Sequence, residues 1–108
     1  MPTVLLSGTQ TAILATEHYL VSESGTNGTF VLLVDTGLMD LNDRVELRIL
    51  TRAHATRPSR TAYQAAYANE QSSPMKYSVP VPSAYNITVT LLQSSTSARS
   101  FDWSLMKV

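Results

Sequence analysis

The sequence predicts an all-β protein: one antiparallel β-sandwich, jelly-roll-like, of seven or eight strands. Three observations carry this. Short segments in which apolar and polar residues alternate recur along the chain. Residues that favour turns separate them. Their spacing, roughly 10–15 residues, suits a sandwich or barrel and leaves no room for helical crossovers between parallel strands.

Residues Thr3, Val4, Leu5 and Leu6 read as a short strand or as an extended N-terminal arm within residues 1–8. Residues 11–22 read as a longer extended stretch with Ile13, Ala15, Glu17 and Tyr19 on one face. Asn27-Gly28 then lies between two apolar runs. Both residue types tolerate positive φ, which makes this the strongest short-range hairpin signal. Residues 11–22 are therefore expected to pair with residues 29–35. Residues 38–43 are too short for a stable helix and are expected to form a helical turn.

Residues 45–52 carry the cleanest alternation: Val45, Leu47 and Ile49 face one way, and Glu46, Arg48 and Leu50 the other. Residues 53–59 form a polar, proline-containing loop. Residues 60–69 are rich in alanine, which suggests helix, but Thr61, Tyr63, Ala65 and Tyr67 alternate, which favours strand. Residues 75–81 are extended. Pro80 and Pro82 donate no ladder hydrogen bond, so this is an edge strand or a polyproline-like connection. Residues 85–93 form a strand with Ile87, Val89 and Leu91 inward, and residues 94–97 a turn. Residues 100–108 form the last strand, with no disordered tail expected after it.

Bulk composition agrees. A chain of 108 residues is expected to be a single domain. It buries roughly two-thirds of its unfolded surface, enough for one core without staples. Charged residues make up 15% of the chain, against about 25% in an average domain. Thirteen serines and thirteen threonines therefore supply much of the polar surface, and threonine suits a pleated strand. The formal net charge of zero gives no bulk positive footprint for nucleic acid. It also weakens repulsion between copies. The absence of cysteine removes disulfides and thiolate metal sites. No secretory leader and no apolar run of membrane length are read in the sequence.

Residues that could carry chemistry are few. Asp35, Asp40, Asp43 and Glu46 span twelve positions, but Gly37, Met39 and Asp40 stand where a calcium loop needs oxygen ligands and a glycine turn. They read better as turn caps and solvated strand residues. His18 and His54 are the only histidines, and no hydrolase or metalloprotease motif accompanies them. Arg52, Arg57 and Arg60 give the one local basic patch, suited to a phosphate backbone or an acidic protein surface. Tyr63, Tyr67, Tyr77 and Tyr85 could form an aromatic contact stripe, whereas Phe101 and Trp103 read as core. Two glycosylation sequons, at Asn27 and Asn86, read as accidental.

The order of patterns is more specific than any one of them. Asn27-Gly28-Thr29-Phe30 leads into Val31-Leu32-Leu33-Val34-Asp35, followed by Leu38-Met39-Asp40-Leu41-Asn42-Asp43-Arg44-Val45-Glu46-Leu47-Arg48-Ile49. Ser78-Val79-Pro80-Val81-Pro82, Val89-Thr90-Leu91-Leu92-Gln93 and Ser97-Ala98-Arg99-Ser100-Phe101-Asp102-Trp103-Ser104-Leu105 complete the series. From about residue 27 onward this resembles the small β-rich virion proteins of tailed bacteriophages, of the capsid decoration (cement) type. The resemblance implies a β-built structural protein on the outer surface of a phage head, made in the host cytoplasm. Its partner would be the major capsid protein, and it would form a homotrimer or other homo-oligomer. No catalytic residue, cofactor, metal, direct nucleic-acid contact or membrane contact is implied. The interface candidates are Thr3, Val4, Leu5 and Leu6, as an arm adding a strand to a neighbour, and Arg52, Arg57 and Arg60. The alternatives are another virion component, in the neck, tail or fibre base, and a small carbohydrate- or protein-binding β module.

Overall fold

The computed structural model describes residues 3–24, 27–54, 56–95 and 98–108. The strands are β1 (Thr3–Thr11), β2 (Glu17–Ser24), β3 (Gly28–Asp35), β4 (Arg44–Thr51), β5 (Arg60–Ala68), β6 (Met75–Tyr77), β7 (Val81–Ser83), β8 (Asn86–Ser95) and β9 (Ser100–Lys107). One sheet has the order β1-β9-β3-β6, with β7 also on β3; the other has the order β2-β8-β4-β5. Every pairing is antiparallel. Because β6 and β7 occupy one position beside β3, the nine strands fill eight ranks. Successive strands alternate between the two sheets except at β4–β5, where a hairpin stays within one, and at the broken β6–β7 strand. This is the double Greek key of a jelly roll.

Alternation fixes which face turns inward. Phe30, Leu32 and Val34 of β3 and Phe101 and Leu105 of β9 meet Val45, Leu47 and Ile49 of β4 and Ile87, Val89 and Leu91 of β8. Each is 3% exposed or less. Trp103 lies on the same face as Phe101 and Leu105, packed against this core. Its register partner on β1 is Gly8. A Cβ there would sit 3.4 Å from the indole. On the second sheet the alternation of β5 turns Tyr63, Ala65 and Tyr67 inward, so this segment is strand despite its alanines.

Several expectations need correction. Residues 11–22 are not one extended stretch. The chain turns over Ala12 to Thr16, where Ala15 takes φ 61°. The Ile13 N–H donates to His18 Nε2 at 3.0 Å, and the Ala15 N–H donates to the Gln93 carbonyl at 2.8 Å. No glycine, proline or asparagine marked this turn. Residues 11–22 also do not pair with residues 29–35. β2 pairs with β8 and β3 with β9, so the chain crosses between sheets at Asn27-Gly28. A tight hairpin needs positive φ at both central residues. Gly28 has φ 138°, but among the described residues the non-glycine positive φ values belong to Ala15, Asn42 and Asn69, not to Asn27. Gly25 and Thr26 of that segment, Thr96 and Ser97 of the expected turn after β8, and Ala55 lie outside the described residues.

Residues 38–43 form two successive turns rather than a helical one. The Met39 N–H donates to the Thr36 carbonyl and the Asp43 N–H to the Asp40 carbonyl, each at 3.1 Å. The expected edge strand over residues 75–81 is broken in two. Between its halves the Ser78 N–H donates to the Leu32 carbonyl at 2.9 Å, while Ser78 Oγ accepts the Leu32 N–H at 3.0 Å. A serine hydroxyl thus replaces the missing backbone acceptor just before Pro80. Of the two readings of the N-terminal segment, the strand is the one observed: Thr3, Val4 and Leu6 pair with Lys107, Met106 and Leu105 of β9, and Leu5 is bulged out of register.

Candidate interface at the basic end

The antiparallel registers sort the connections between two ends of the sandwich. The β1–β2, β3–β4, β5–β6 and β8–β9 connections lie at one end. The β2–β3, β4–β5 and β7–β8 connections lie at the other.

The β4–β5 connection, residues 52–59, holds the basic patch. Its base is shaped by a β-bulge: Ile49 pairs with Tyr63 and Leu50 with Thr61, which leaves Ala62 unpaired. A bulge bends and twists its strand and re-aims the side chains beside it. Arg60 and Thr61 lie directly before the unpaired Ala62. Together with Thr51, Arg57, Pro58 and Ala62 they line a hollow of about 310 Å³. No carboxylate among the described residues lines it.

The loop above this hollow is pinned from below. Asn86, at the start of β8, is 9% exposed. Its Oδ1 accepts Arg52 Nε–H at 3.0 Å, and its Nδ2 donates to Ser59 Oγ at 3.3 Å. The Ser83 hydroxyl donates to the Asn86 carbonyl at 2.8 Å. One buried amide therefore ties both feet of the loop to the second sheet. Higher up, the Arg57 N–H donates to the His54 carbonyl at 3.1 Å. The His54 ring lies 6.5 Å from that of Tyr85 and 3.1 Å from the Thr56 hydroxyl. Buried and bonded, Asn86 is an anchor rather than a glycan acceptor.

The interface candidates meet only in part. Thr3, Val4, Leu5 and Leu6 lie at the same end as Arg52, Arg57 and Arg60, but on the other sheet and the other flank. β1 lies beside β2 on one flank, whereas Lys76 of β6 stacks 5.0 Å over the Tyr67 ring of β5 on the other. Of the three arginines, Arg57 and Arg60 line the hollow while Arg52 holds the loop.

At the opposite end Asp35, Asp40 and Asp43 are used within the molecule. Asp35 Oδ1 accepts the Gly37 N–H at 2.8 Å and Asp40 Oδ1 the Leu41 N–H at 2.7 Å, as turn caps. Asp43 also caps a turn, and it is fully buried. Its Oδ2 accepts Arg99 Nε–H at 2.7 Å and the Asp40 N–H at 2.8 Å. The Arg99 N–H in turn donates to Oε1 of buried Gln93 at 2.8 Å. No cluster of three or more metal-binding side chains occurs among the described residues.

Two further arrangements differ from or escape the sequence reading. The four tyrosines form no stripe: Tyr63 and Tyr67 pack against the core, while Tyr77 on β6 and Tyr85 before β8 are exposed. Burial and the neighbouring Tyr63 hydroxyl raise the pKa of Tyr67. Asp35 and Asp102 stand directly opposite each other on β3 and β9, lining a hollow of about 240 Å³ on the outer face of the first sheet. The Thr9 hydroxyl donates to Asp102 Oδ1 at 2.6 Å. Their 67-residue separation in sequence (35 to 102) hid this pair; only the register reveals it.

No helix long and apolar enough to cross a membrane occurs among the described residues. Compared with protein-family models, curated proteins and solved structures, the chain matches none.

Proposed function

We propose that this chain is a virion structural protein of the capsid decoration type, which presents its basic end to an acidic surface of the assembled shell. The observation that carries this reading is the β4–β5 end. Arg57 and Arg60 line a hollow without a carboxylate, on a loop whose feet are fixed by Asn86. Exposed guanidinium groups beside a pinned loop, with no carboxylate among the described residues that line their hollow, favour carboxylate-bearing partners, with two donor edges each. A pinned loop loses little conformational entropy on docking. The jelly roll supports the reading at the level of architecture, since viral capsid proteins use it; lectins and cupins use it too, and fold alone does not fix function. The resemblance of residues 27–108 to phage decoration proteins selects among these.

Decoration works by mass action: a protein that binds only the assembled lattice stabilises that lattice. Repetition of sites then multiplies a modest single contact. The test is a mass-resolved inventory of purified particles, heads and tails separately, before and after a mild chaotrope. The protein is expected on heads, in many copies, released before the shell opens. Recovery on tails, or absence from particles, overturns the assignment. The charge-reversed variant carrying Arg57→Glu and Arg60→Glu should fold normally and fail to sediment with heads.

A further inference from the structure

Of the four sheet edges, three carry features that discourage pairing with another chain. The β6–β7 edge is short, broken, and carries Lys76, Pro80 and Pro82. β2 contains Glu17, His18 and Glu23. β5 begins with Arg60 and is overlaid near its far end by Lys76 on Tyr67, so antiparallel self-pairing would bring cations together. β1 differs. It is nine residues long and contains neither a charge nor a proline. Its one irregularity is the bulge at Leu5. Val4 and Leu5 beside it are 54% and 41% exposed.

We infer that the open edge of β1 pairs antiparallel with β1 of a second copy, across a two-fold axis normal to the sheet at Ser7 or Gly8. The occupant is a second copy because the strand complements itself. Ser7, Thr9 and Thr11 share the outer face, and Leu6, Gly8 and Gln10 the inner one. Rotation about Ser7 or Gly8 therefore sets outer residues against outer ones and inner against inner. No like charges meet in either register, whereas charged residues would repel their own images. The two β1-containing sheets then join into one continuous sheet of eight ranks. This inference stands apart from what the basic end binds.

Light scattering of the purified chain across a concentration series should give twice the chain mass, falling toward one chain on dilution. Ser7 is exposed and faces its own image, opposite or one step diagonal in both registers. Ser7→Asp and Ser7→Lys should each give monomers with unchanged circular dichroism. An equimolar mixture of the two should regain the dimer mass. Amide exchange on the unsubstituted protein gives a readout free of any substitution: alternate β1 amides should be protected in concentrated solution and exchange on dilution. A monomer at every concentration, a three-chain mass, β1 amides indifferent to dilution, or a dimer that survives Ser7→Asp overturns the inference.

Discussion

The two ends of the sandwich carry charge in opposite ways. Where β3 turns toward β4, acidic side chains fold the protein: Asp35 and Asp40 cap turns, and Asp43 is buried against Arg99. Where β4 turns toward β5, the loop is held by a neutral amide, and Arg57 and Arg60 line a hollow without acids. The difference separates charge consumed by folding from charge left for something else. A buried ion tied to its partner is a poor interface, because releasing it costs more than a new contact returns. A surface arginine on a fixed loop has no such obligation.

Substitutions break or sharpen this contrast, and the largest effect belongs to the folded end. Asp43→Ala leaves Arg99 without its buried carboxylate and removes the acceptor of the Asp40 N–H. The expected loss is about 3–5 kcal/mol, read as a lower urea midpoint. Asn86→Ala should cost about 1–3 kcal/mol, because a buried amide with bonds to both loop feet disappears. It should also speed proteolysis within residues 52–59, a change that Asp43→Ala lacks while the protein stays folded. Arg57→Glu with Arg60→Glu should shift stability by less than about 0.5 kcal/mol, as surface changes do, while removing attachment to particles. If this pair destabilises as much as Asp43→Ala, the contrast between the ends fails. The smallest effect has the opposite sign. Asp102→Asn removes a like charge facing Asp35 and keeps an acceptor for Thr9, so it should stabilise by about 0.2–1 kcal/mol, read as a raised urea midpoint.

How much of this was legible in the sequence depended on range. The inward faces of β4 and β8 were readable because alternation is local: Val45, Leu47 and Ile49, and Ile87, Val89 and Leu91, are buried as their pattern implies. β5 was readable for the same reason, its tyrosines outweighing the helix preference of alanine. The partner of β2 was not. Asn27-Gly28 announces a change of direction, but whether the chain returns in the same sheet or crosses to the other is decided by which strands cover β3 and β8. The β1–β2 turn was silent, because a left-handed alanine tied to the Gln93 carbonyl, beside an Ile13 N–H tied to His18 Nε2, carries no composition signal. At the candidate interface Arg57 and Arg60 were legible as charges on a loop. The anchor Asn86 was not, because a sequon and a buried loop tether have the same spelling. Asp43 was legible as a turn cap but its burial was not, because nothing near it in sequence names Arg99, 56 positions away.

The break between β6 and β7 has a consequence for assembly. β6 and β7 are three residues each, and Pro80 and Pro82 carry no N–H donor, so that margin of the sheet is a poor template for a further strand. A protein sticky on both margins polymerises into ribbons. If β1 pairs as inferred above, a chain blunt on this side stops at a closed pair, and partnership is gained without the hazard of a fibre.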